Sequence, residues 1–367
     1  MTGFRISEAT QRLAPGQPFA LESGAVLPGV EIAYRTWGRL NAAGDNAIVV
    51  CHALTGSADA DDWWAPLFGP GRALDPERHF IVCSNVLGGC YGTTGPASPA
   101  PDGRRWGSRF PRVTVRDQVR LQMRLADHLG IAGIRCVVGG SMGGLQALEW
   151  ALLDPQRVRA VASIAAAGRH PAWCIAWSEA QRLALAADPK FRGGDYAAAD
   201  PPRQGLAAAR AVAMVGYRSP LSLDERFGRS AADDDFAVRR WLRHHGNALA
   251  ERFDANSYLA LIDAMDTHDL GRGRGGLAAA LQRIRQPVLV GSVLTDALYV
   301  PPEQRSLVAW LPHGELFEIA SRHGHDGFLI DADAVELALR RFLGAQSAPA
   351  PQPAPDVRLD AGYGYAC

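Results

Sequence analysis

Apolar residues in this chain fall into two alternating patterns. Short runs at 46–51, 79–85, 158–165 and 287–293 are apolar almost without interruption, as expected of strands buried on both faces of a parallel sheet. The stretch 30–38 alternates apolar and polar, which predicts a strand with one solvated face, and 315–319 reads as a further strand. The segment 114–130 carries apolar positions at helical spacing, and 302–310 and 334–343 also read as helices. Strand and helix alternate from 46 to 166, which predicts a parallel sheet with right-handed crossovers. From 171 to about 280 the pattern changes to helical stretches (173–187, 205–215, 236–252 and 257–265) without a buried strand, and the strand pattern then resumes. The expected architecture is α/β, with a core of 1–168 and 281–345 and an inserted all-helical lid at 169–280. The tail, 346–367, is rich in Ala and Pro and is expected to be disordered.

Composition narrows the function classes. Apolar residues make up 47% of the 367 positions and charged residues 21%, enough for a sizeable core. Thirty-eight basic and 38 acidic residues cancel, so bulk charge does not favour nucleic acid or an anionic membrane. Lys190 is the single lysine, which is a compositional bias rather than a recognition device. The six cysteines (Cys51, Cys83, Cys90, Cys136, Cys174 and Cys367) lack metal-ligand spacing. Cys51, Cys83 and Cys136 lie in strand-like runs and are expected to be buried free thiols. The first residues show no charged-then-apolar leader, and no apolar run approaches a membrane span, so a cytoplasmic enzyme is expected.

Candidate chemistry centres on Gly139-x-Ser141-x-Gly143, between a short apolar run and a helical pattern. This is the context of a nucleophile elbow, in which a sharp strand-to-helix turn lifts a serine hydroxyl clear of the sheet. Glycines are expected there because side chains would collide with the neighbouring strand or helix, and because tight turns often need positive φ. In α/β-hydrolases an acid and then a histidine follow the serine. Asp296 lies just past a buried strand and His325 on the loop after the next, which puts all three at the carboxyl edge of the sheet. Local context does not separate His325 from His323, and Asp296 could instead cap a helix before Ala297. His52 could be a core or oxyanion-loop residue. His268, His313 and the pair His244–His245 read as surface or helix-end residues. Backbone N–H groups of Leu54 and Met142 fit the two oxyanion donors.

Several further motifs, in order from about residue 25 to 343, extend the pattern: 52–56 (HALTG), 85–90 (NVLGGC), 92–96 (GTTGP), 110–117 (FPRVTVRD), 139–144 (GGSMGG), 217–218 (YR) with 226–228 (RFG), 252–258 (RFDANSY) and 324–326 (GHD). Together they resemble the homoserine O-acetyltransferase family of α/β-hydrolases. The Ala/Pro tail lies outside the resemblance, and 57–64 is shorter than in many members. The resemblance implies transfer of an acetyl group from acetyl-CoA to L-homoserine, for methionine biosynthesis, through an acyl-serine on Ser141 activated by His325 and Asp296. No cofactor would be permanently bound, and acetyl-CoA would be a co-substrate. The resemblance also implies that Arg210, seven residues before Tyr217, binds the substrate carboxylate, that Tyr217 belongs to the same substrate site, that Asp326 binds the substrate ammonium, and that the protein is a homodimer through the lid. A succinyl donor, serine as acceptor, simple ester hydrolysis and a binding protein without catalysis remain as alternatives.

Overall fold

A computed structural model describes residues 6–232 and 235–345. The expected tail at 346–367, with Cys367, lies outside them. Eight strands form one twisted sheet: β1 (Gln11–Leu13), β2 (Ile32–Trp37), β3 (Ala47–Cys51), β4 (Phe80–Ser84), β5 (Ile134–Gly140), β6 (Val161–Ile164), β7 (Val288–Val293) and β8 (Gly314–Ile319). Their order is β1-β2-β4-β3-β5-β6-β7-β8. The two edge pairings β1–β2 and β2–β4 are antiparallel, and every pairing from β4 to β8 is parallel. All residues of β3, β6 and β7 are buried. Uninterrupted apolar runs are required there because helices cover both faces of the sheet.

The first crossover helix, α1 (Val115–His128), starts on a capping box in which Thr114 and Asp117 satisfy each other's backbone N–H groups. After β5 comes α2 (Met142–Leu153), buried over most of its length because it lies against the middle of the sheet. Between β6 and β7 the chain leaves the sheet for α3 (Ala172–Ala186), α4 (Arg203–Tyr217), α5 (Pro220–Phe227), α6 (Ala237–Arg252), α7 (Ala255–Asp266) and α8 (Leu277–Gln282). Among the described residues the insertion's named elements are helices, apart from a ribbon pairing Ala231–Ala232 with Asp235–Phe236. That ribbon escaped the periodicity reading because two-residue strands carry no repeat. The short helix α5 starts at a Ser219 cap with Pro220 in its first turn.

Two segments join the insertion to the core and lie side by side. The His170 N–H donates to the His268 carbonyl and the Leu270 N–H to the Gly168 carbonyl. His268, read from sequence as a surface or helix-end residue, is buried in this junction, and burial pulls its pKa down to about 3. Helices α9 (Pro301–Trp310) and α10 (Ala332–Ala345) complete the core. Cys51, Cys83 and Cys136 are buried free thiols, as are Cys90 and Cys174.

Candidate active site

Gly139 and Gly140 end β5, and Ser141 turns the chain directly into α2. Ser141 has φ 56°, a left-handed conformation that costs a non-glycine residue on the order of 1–3 kcal/mol. The strain falls on the serine, whereas none of the four flanking glycines has positive φ. They are required instead by crowding. A Cβ on Gly143 would lie 2.0 Å from the Cys51 carbonyl oxygen, and one on Gly140 would lie 2.3 Å from the Phe328 ring. Gly139 and Gly144 are closed in similarly, by the Gly143 backbone and by Ala166. The strained turn is held by the Ser141 N–H, which donates to the Ile164 carbonyl at 2.9 Å.

The structure brings Asp296 and His325 to this serine. His325 Nε2 lies 2.9 Å from Ser141 Oγ, and its Nδ1 lies 2.8 Å from Asp296 Oδ2. All three residues are buried. The helix-cap reading of Asp296 fails, because the residues after it only bend and the next helix starts at Pro301 with Val300 as its cap. Asp296 Oδ1 accepts from the N–H groups of Leu298 (2.7 Å) and Tyr299 (3.0 Å), which fixes the carboxylate, while Oδ2 meets the imidazole. His323 faces elsewhere, with Nδ1 3.3 Å from Arg218 and 3.4 Å from Ser222 Oγ. Tyr217, Tyr299 and Phe328 surround the His325 ring at centroid distances of 5.6–5.7 Å. Burial alone would lower the His325 pKa, but the charge and hydrogen bond of Asp296, with Asp326 beyond, carry it above its ordinary value. Such a chain can take a proton from the serine hydroxyl and return it to a leaving group.

Leu54 lies on the loop after β3, and Met142 is the first residue of α2, where backbone N–H groups have no helical acceptor. β3 pairs with β5 up to Cys51–Gly139, so that loop and the elbow leave the sheet side by side.

Arg210, on α4, places its guanidinium over the Tyr217 ring, 5.2 Å from the centroid. Tyr217 in turn flanks His325. Asp326 is close by, but its Oδ2 already faces Arg218 Nε at 3.2 Å. Burial raises the Asp326 pKa, against the pull of Arg218, His325 and Arg210. Sequence reasoning assigned no role to Arg218, although it stands beside Tyr217 in a quoted motif. It missed Tyr299 as well, whose hydroxyl lies 2.8 Å from His170 Nδ1 and whose ring lies against His325.

Behind Asp296, Glu303 in the first turn of α9 is half-buried with a partnerless Oε2. Burial, and then the Asp296 charge, push its pKa from 4.5 up to about 7 against the weaker pull of Arg169. A carboxyl that keeps its proton longer when folded favours the unfolded chain once ionised. Stability should therefore fall as pH rises from 4.5 to about 7 and level off above. Melting curves at pH 5 and 8 should show Glu303→Gln removing part of that fall. An identical pH dependence in the variant would refute the assignment.

The alpha/beta hydrolase fold family matches residues 46–332. A homoserine O-acetyltransferase of Trichormus variabilis is 54% identical over 329 residues, covering 89% of this chain and 91% of that protein. Among solved structures, the homoserine O-acetyltransferase of Bacillus anthracis superposes with a TM-score of 0.85 at 25% identity, over 92% of this chain and 98% of that one. Esterase E22 superposes at 0.84 with 28% identity, over 91% of this chain and 100% of that one. With the elbow, the buried Ser–His–Asp chain and a relative sharing more than half its residues, this protein belongs to the homoserine O-acetyltransferase family of α/β-hydrolases.

Proposed function

We propose that the protein transfers an acetyl group from acetyl-CoA to the hydroxyl of L-homoserine in two displacements. The observation that carries this reading is the continuous hydrogen-bond chain from Asp296 through His325 to Ser141. Ser141 Oγ attacks the thioester carbonyl while its proton passes to His325 Nε2. The C–S bond then breaks, and His325 protonates the departing coenzyme A thiolate. Homoserine next gives its hydroxyl proton to His325 and takes the acetyl group, restoring Ser141. The Leu54 and Met142 N–H groups receive the oxyanion in both steps.

In this reading Arg210 binds the homoserine carboxylate, because a guanidinium offers paired donors. Asp326, oriented by Arg218 from one side, takes the ammonium through its remaining oxygen. Residues 1–168 and 281–345 act as the reaction core, and 169–280 as a lid that limits water, which would otherwise hydrolyse the acyl-serine. Cytoplasmic residence fits the five free, buried cysteines among the described residues, as such thiols persist in reducing compartments. A homodimer through the lid fits the exposed Leu183 on α3, Val215 on α4 and Leu221 on α5.

A donor-by-acceptor assay tests the reading, with acetyl- and succinyl-CoA set against homoserine, serine and no acceptor. Acetyl-CoA with homoserine should be fastest. Esterase E22 shares the fold closely enough to make water the competing acceptor. Equal release of acetate with and without homoserine would replace transfer by hydrolysis. In the same assay Arg210→Met should raise the KM for homoserine about 10- to 100-fold, the worth of a charged hydrogen bond, while leaving the first displacement unchanged.

A further inference from the structure

The loop that carries Leu54 is fixed from two sides, and the two fixings come from different parts of the molecule. From the core side, His52 is buried at the end of β3, and burial lowers its pKa to about 4, so the ring is neutral near pH 7. The Val86 N–H donates to His52 Nε2 at 3.2 Å, which leaves the ring proton on Nδ1. That N–H donates to the Ala53 carbonyl at 2.8 Å, and the Gly56 N–H donates to the same oxygen at 2.9 Å. In a planar trans peptide the carbonyl and the following N–H point in opposite directions. Two donors holding the Ala53 oxygen therefore aim the Leu54 N–H the other way.

From the insertion, Arg252 in the last turn of α6 reaches back 197 residues and donates from Nη1 to the Thr55 carbonyl at 3.0 Å. The same nitrogen donates to the Tyr91 hydroxyl. Tyr91 is buried, its ring lies edge-on to Phe253 at 5.6 Å, and its backbone carbonyl accepts from Asn85 at 2.8 Å. Arg252 thus ties a carbonyl of the oxyanion loop to the buried Tyr91 hydroxyl. His52 sets the direction of the Ala53–Leu54 peptide, and Arg252 ties the next carbonyl of the loop to the insertion.

We propose that Arg252 is a positioning residue that makes an assembled oxyanion loop depend on a seated lid. The proposal rests on the acyl-serine reading above. It follows that Arg252 acts on every step that passes through an oxyanion, whatever the donor or acceptor. An arginine that only stabilised α6 would instead alter the acceptor site and leave acylation alone.

The test uses the full chain and two donors, acetyl-CoA and 4-nitrophenyl acetate. The small ester requires Ser141 and the oxyanion donors but makes few contacts with a lid. Rapid-mixing measurement of the first turnover gives the acylation rate, and intact mass gives the acetyl-enzyme. Arg252→Met should slow acylation by both donors by the same factor, about 10- to 100-fold, which is less than the loss of an oxyanion donor outright. Arg252→Lys, which keeps a donor for Thr55, should recover most of the rate. Wild-type acylation by 4-nitrophenyl acetate in a folded Arg252→Met variant would overturn the proposal. So would a loss in Arg252→Lys equal to that in Arg252→Met, in variants with wild-type melting temperatures. Failure of the wild-type enzyme to acquire an acetyl group from either donor would sink the acyl-serine mechanism itself, which separates the two failures.

Discussion

Ser141→Ala is expected to reduce acetyl transfer on the order of 10⁶-fold while leaving the fold and its thermal transition in place. The size follows from covalency. Without Oγ no acyl-enzyme forms, and His325 and the oxyanion donors are left to assist a direct attack for which the site is not arranged. Retention of the fold follows from the local contacts. The bonds that hold the turn are backbone ones, from the Ser141 N–H to Ile164 and from the Gly144 N–H to the Ser141 carbonyl, and alanine keeps both. Alanine also tolerates the same left-handed φ at a similar cost. Intact mass after mixing with acetyl-CoA should show a 42 Da addition (roughly one acetyl group, as for any covalent intermediate of this kind) on wild-type enzyme alone. Wild-type turnover by the variant would end the acyl-serine account.

Asp296→Asn should lower turnover by about 10⁴-fold near neutral pH, with little change in KM. An amide at 296 can still be held by the Leu298 and Tyr299 N–H groups through its oxygen. The amide nitrogen would then face His325 Nδ1 as a donor and drive the ring proton onto Nε2. That tautomer cannot accept the serine proton. The variant should also lose the charge that raises the His325 pKa, so the acid limb of the rate profile should move to lower pH. In the wild type that limb should lie above 6.5, because the base works only when neutral. An unchanged acid limb in Asp296→Asn would mean that another group controls it.

Much of the site was legible in sequence because parallel strands buried on both faces have few ways to be written. Each such run must end at the carboxyl edge of the sheet, so Ser141, Asp296 and His325 were placed on one rim by the runs before them. The glycines of the elbow were anticipated as well, although positive φ was only part of the expected reason. In the structure crowding against Cys51, Phe328 and Ala166 explains the glycines, and the strain sits on Ser141.

Other features left no trace in local pattern. His323 and His325 sit in nearly the same sequence context, yet only one faces a serine 184 residues earlier in the chain. Asp296 was read as either a helix cap or a partner for histidine because local pattern does not show that the chain after it bends before the helix that starts at Pro301. His268 carries no periodic signal that distinguishes a buried junction from a helix end. Arg218 in front of Asp326, Tyr299 against His325 and Arg252 on Thr55 are all contacts between the insertion or a late loop and elements far away in the chain.

The alternation of strands and helices, the turn at Ser141 and the membership of the rim were legible in the sequence itself, since short-range sterics and burial act within a few residues. Which side chains turn toward one another across that rim was decided only by tertiary structure. Those directions depend on how the insertion packs onto the sheet, and packing couples residues that no local periodicity connects.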